Sequence, residues 1–127
     1  MSLDTKIQEG FREEEKLIQE ELNRAQEHVN AGMYSVANAP LDIAGLHSKR
    51  AGMALPEIYY KLRETVYKMV ERPRLGIIKT QIEGGRYTAA EIALSGIETY
   101  LRRAYMKIPK EVTELRAELD KLVGEKG

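Results

Sequence analysis

At 127 residues the chain has room for one domain with its own core, and 43% hydrophobic against 31% charged residues marks it as globular rather than disordered. Cysteine is absent, which excludes a disulfide framework, a zinc–thiolate site and a cysteine nucleophile. The absence of cysteine fits a reducing cytoplasm, so a cytoplasmic protein is expected; no apolar run approaches a membrane span, and twenty basic residues balance twenty acidic ones where a nucleic-acid-binding domain is usually strongly basic.

The charge is unevenly spread. Residues 1–31 carry eight acids and four bases, so an acidic first helix faces a basic remainder. That helix is predicted over 4–31. Its apolar seam is Phe11, Ile18, Leu22, Ala25 and Val29, with seven-residue returns. Glu13, Glu14 and Glu20, Glu21 flank the seam as solvated positions do, while Glu15 falls on it.

Beyond the first helix the chain matches itself at an offset of 53 residues without a gap. Gly32-Met33-Tyr34-Ser35-Val36-Ala37 aligns with Gly85-Arg86-Tyr87-Thr88-Ala89-Ala90. Met53-Ala54-Leu55-Pro56 aligns with Met106-Lys107-Ile108-Pro109, and Leu62-Arg63 with Leu115-Arg116. Gly32 and Gly85 suit a left-handed helix end. Ser35 and Thr88 are expected to cap the following helices, Thr88 with Glu91 in a capping box. The second helix is placed at 35–52, with Pro40 either kinking it or delaying its start so that Asn38 is the cap. The third starts at Pro56 and carries Ile58, Leu62, Val66 and Met69 on one face. Pro73 is expected to kink or break it, ahead of a further helical piece with Ile77, Ile78 and Ile82. The fourth helix spans 88–106 with Ala90, Leu94, Ile97 and Leu101. The last starts at Pro109 with Val112, Leu115, Leu119 and Leu122. The expected fold is all-α: a single domain over 1–127, a helical bundle or short two-unit helix-hairpin array from internal duplication, with units near 33–72 and 86–125.

The Gly-x-Tyr-x-x-Ala corner, at Gly32-Tyr34-Ala37 and Gly85-Tyr87-Ala90, resembles the hairpin corner of tetratricopeptide-type repeats, which scaffold protein–protein contacts. Their period is about 34 residues, shorter than the offset of 53 here. The stretch from Ile82 to Ala93 is similar to the turn and second helix of ribbon-helix-helix antitoxins. The strand those proteins lay on DNA corresponds to Arg72-Pro73-Arg74-Leu75-Gly76, which is short and proline-broken.

No catalytic, cofactor or metal constellation emerges. Glu-x-x-His is missing at both His28 and His47, and no nucleophile is spaced with a base. Two surfaces stand out. Ile18, Leu22 and Ala25 form a narrow stripe suited to pairing with another helix, and hence a homodimer interface. Lys61, Lys68, Arg72, Arg74, Lys79 and Arg86, with Tyr59, Tyr60 and Tyr67 nearby, form a candidate anion or nucleic-acid surface. The expected function is a protein–protein interaction or assembly module without catalytic activity or cofactor, acting as a homodimer or with another protein. Nucleic-acid binding is the alternative.

Overall fold

A computed structural model describes residues 2–126 and is all-helical, with no strand among them. The elements are α1 (Leu3–Asn30), α2 (Asn38–Ala51), α3 (Glu57–Val66), a π-helical turn (Tyr67–Glu71), α4 (Arg72–Glu83), α5 (Tyr87–Arg103) and α6 (Lys110–Lys126). None of these helices is long and apolar enough to cross a membrane. Where the sequence suggests a single domain, the chain divides into two compact units, Met1–Tyr67 and Lys68–Gly127.

In the first unit α1, α2 and α3 pack on one another. The core is Ile18, Leu22 and Ala25 from α1, Ala37, Leu41 and Ala44 from the corner and α2, and Tyr59, Leu62 and Val66 from α3. Small residues at 25, 37 and 44 let α1 and α2 approach closely. Each buried leucine removes enough apolar surface to contribute about 1.5–3 kcal/mol. In the second unit α4, α5 and α6 pack likewise, through Leu75, Ile78 and Ile82, then Ala90, Leu94, Ile97 and Leu101, then Val112, Leu115 and Leu119. Many of these residues correspond across the offset of 53, including Leu22 with Leu75, Leu41 with Leu94 and Leu62 with Leu115.

The corners recur at the same offset in atomic detail. Gly32 and Gly85 both have φ 75°. The amide of Met33 donates to the His28 carbonyl at 2.8 Å, and that of Arg86 to Gln81, also at 2.8 Å. This six-to-one bond ends α1 and α4 alike, and only a residue without Cβ takes the left-handed turn without strain. At the ends of α2 and α5 the pattern repeats. Gly52 (φ 63°) and Tyr105 (φ 57°) are left-handed, and Met53 and Met106 donate back to Ser48 and Leu101 at 3.0 Å each.

Several local expectations are corrected. Ser35 and Thr88 do not cap. The residues before α2 and α5 are Ala37 and Arg86, neither with a side-chain cap bond, and Thr88 lies inside α5. Glu91 forms no capping box; its carboxylate instead accepts from Ser95 and Arg116. Helix α2 starts late, at Asn38, so Pro40 sits in the first turn, where a missing N–H removes no intrahelical bond. The interruption expected at Pro73 is present: α3 ends at Val66 and the π turn intervenes before α4. Pro73 too lies in a first turn, that of α4, directly after the π turn. Proline's ring crowds the carbonyl four residues back, here that of Met69, and the wider π turn occupies that place. The buried face of α3 is Tyr59, Leu62, Arg63 and Val66; Ile58 and Met69 are exposed.

Candidate interaction surface

Helix α1 uses its two halves differently. The second half belongs to the core, and Ile18, Leu22 and Ala25 are exposed by only 4%, 1% and 0%. The expected dimer stripe at these three residues is therefore corrected: their side chains are occupied inside the first unit and present no surface. From Ser2 to Glu13, in contrast, every residue is exposed. Leu3, Ile7 and Phe11 recur every four residues on one face of this half, and they remain 72%, 48% and 43% exposed. Glu14 marks the changeover. Its Oε2 lies 2.7 Å from Nδ1 of His47 on α2, a close polar contact between the two helices. Glu15, expected on the seam, points outward.

The basic stretch is dispersed. Lys61 belongs to the first unit and lies 3.4 Å from Glu57, both exposed. Lys68 sits in the π turn, Arg72, Arg74 and Lys79 on α4, and Arg86 at the cap of α5. Arg72 lies 3.5 Å from Glu111 and Arg74 3.5 Å from Glu71, so part of the positive charge is already answered by carboxylates. Tyr59 and Tyr67 are buried. Of the three tyrosines that could stack on bases only Tyr60 is exposed, and it stands edge-on to the Tyr59 ring at 5.1 Å.

The structure brings together a group that the sequence reading missed. Arg63, 1% exposed, donates to the Tyr59 hydroxyl at 2.9 Å, Asn38 Oδ1 at 3.1 Å and Asp42 Oδ1 at 2.6 Å. In the second unit Arg116 donates to Glu98 at 2.6 Å, to the Ser95 hydroxyl at 3.1 Å and to Glu91. Arginines 63 and 116 are 53 apart, as are their partners 38 and 91, and 42 and 95. In each unit an arginine on the third helix thus bonds the same two positions of the second. Burial pushes the Tyr59 hydroxyl pKa up, and the Arg63 charge only partly opposes it. Glu91 is held below the ordinary carboxylate range, chiefly by its hydrogen bond from Arg116, whose own pKa is raised, first by Glu98.

Nothing among the described residues groups three metal-ligating side chains. A groove of about 500 Å³ on the first unit is lined by Ile18, Met53, Ala54 and Pro56 together with Arg12, Glu15, Lys16 and Gln19. These residues include no nucleophile paired with a base. Comparison with protein-family models, curated proteins and solved structures finds no match.

Proposed function

We propose that this chain is a helical assembly module, built by duplication of one hairpin unit, that self-associates through the N-terminal half of α1. The observation that carries the reading is the Leu3–Ile7–Phe11 stripe, apolar, evenly spaced and exposed on a helix whose second half enters a core. A helix shorter than about 12 residues is marginal on its own. The half of α1 that stands clear of its unit gains support from a partner helix, which would cover the stripe. Origin by duplication accounts for corner bonds and arginine bonds that recur 53 residues apart, since neither helix propensity nor chance demands the same partners.

Three apolar side chains per copy fall short of the roughly 800 Å² per partner that stable complexes bury. The association is therefore concentration-dependent. Light scattering across the micromolar range should report a mass rising toward twice that of the chain. Ile7→Glu with Phe11→Glu should hold it at one chain mass, with helicity and melting of the first unit unchanged because both residues lie outside its core. A wild type that stays monomeric throughout, or a double variant that still dimerises, would sink the reading.

A further inference from the structure

We propose that the turn between α5 and α6 binds single-stranded nucleic acid, with phosphates held by Arg102, Arg103, Lys107 and Lys110 and a base stacked on Tyr105. The proposal stands on the second unit alone and is independent of assembly through α1. It starts from a comparison of two turns in one chain. The turns after α2 and after α5 share a backbone. Gly52 and Tyr105 are both left-handed, and their amides donate three residues back, to Lys49 and Arg102, at 3.3 and 3.1 Å. The amides of Met53 and Met106 then close each turn on Ser48 and Leu101. A residue that suits this backbone worse in one turn than in the other calls for a reason outside the fold.

Two residues of the second turn suit it worse. The left-handed conformation is free to Gly52 and strained at Tyr105. Strain of this kind collects at functional sites, and the ring, 49% exposed, gains little packing in return. Helix α3 opens with Glu57, whose charge favours the positive end of a helix, while α6 opens with Lys110, whose charge opposes it. A third difference, Lys107 in place of Ala54, adds a base at an exposed loop position. Residues 49–57 carry two bases and one acid; residues 102–110 carry four bases and no acid.

The placement suits a ligand with several negative charges and a flat apolar face. Leu101 and Ala104 are buried, so Arg102 and Arg103, roughly 100° apart on the helix, take its solvent side. Arg102, Arg103 and Lys107 form no ion pair among the described residues, and Lys110 meets Glu114 at 3.6 Å with both side chains well exposed. Of the other nearby acids, Glu98 is bonded to Arg116 and Glu111 lies 3.5 Å from Arg72. An exposed ring among such cations stacks a base while the cations follow the phosphates. A duplex keeps its bases stacked on one another and leaves the ring unused. An anionic membrane would be met by several exposed aliphatic side chains, whereas here Leu101 is buried, Met106 half-buried and Ile108 37% exposed.

Fluorescence anisotropy of a short labelled DNA strand without self-complementarity, titrated with the full chain, tests the proposal. With all four cations on phosphates, affinity should fall roughly fifty-fold between 50 and 200 mM salt. Tyr105→Gly should weaken binding about tenfold, the loss of one stacked base, while melting no lower than wild type. The triple variant Tyr105→Gly, Lys107→Ala, Lys110→Glu gives the second turn the residues of the first and should bring binding to background. A wild type that fails to bind at low salt overturns the proposal, as does undiminished binding by the triple variant. Equal affinity of Tyr105→Gly and wild type, or tighter binding to duplex DNA or to phosphatidylserine vesicles, overturns single-stranded nucleic acid as the ligand. If the triple variant melts below wild type, Lys107→Ala alone decides: a several-fold loss of affinity supports the site, and unchanged affinity overturns it.

Discussion

At the scale of single residues, the two units solve one corner with different chemistry. Gly52 takes its left-handed conformation freely, whereas Tyr105 takes the same one with a Cβ, which costs about 1–2 kcal/mol. Tyr105 is 49% exposed, so little packing offsets that strain. Tyr105→Gly should raise unfolding free energy by about 1 kcal/mol, read as a shift in urea midpoint. A loss of stability would mean that the ring holds something the strain argument omits. A second residue-scale consequence concerns acid. Because Glu91 is held below the ordinary carboxylate range, its charged form favours the folded state. That stabilisation is complete above the ordinary carboxylate pKa and is lost as pH falls through the depressed one. Glu91→Gln should therefore be less stable than wild type at neutral pH, with the difference closing on acidification. An equal gap at neutral and acidic pH would place the effect outside titration.

At the scale of elements, the sequence marks its helices well where period and burial agree. The spacing of Val112, Leu115 and Leu119 reads as a buried seam, and their exposures are 0%, 3% and 0%. Leu115→Ala and Leu119→Ala should each cost about 2–5 kcal/mol, the transfer loss plus the cavity left behind, in thermal or denaturant unfolding. Near-wild-type melting of both would mean that α6 contributes nothing to its unit. Legibility fails where a rule about side-chain type is overridden by neighbours. Arg63 and Arg116 align by eye, yet arginine on a helix reads as surface. Their partners change identity across the offset, from Asn38 to Glu91 and from Asp42 to Ser95, so matching letters conceals that the positions correspond. Ile18 and Phe11 fall on one seven-residue pattern, and periodicity cannot say that the core begins between them. That boundary depends on where α2 ends beside α1, which is marked by His47 meeting Glu14.

At the scale of the whole molecule, both units are made from helices that touch only near neighbours along the chain. Among element pairs with substantial contact, α1 meets α2 and α3, and α4 meets α5 and α6; none joins elements from the far ends of the sequence. The all-helical expectation holds, while the partition after Tyr67 is not legible in the letters, because no glycine- or proline-rich linker marks it. This locality has a kinetic consequence. Closing a loop between adjacent helices costs little chain entropy, so the search for native contacts is short and the transition state can form from a single hairpin. Refolding of each unit belongs in the microsecond-to-millisecond class of helical proteins. A newly made chain could also fold its first unit while the second is still being synthesised.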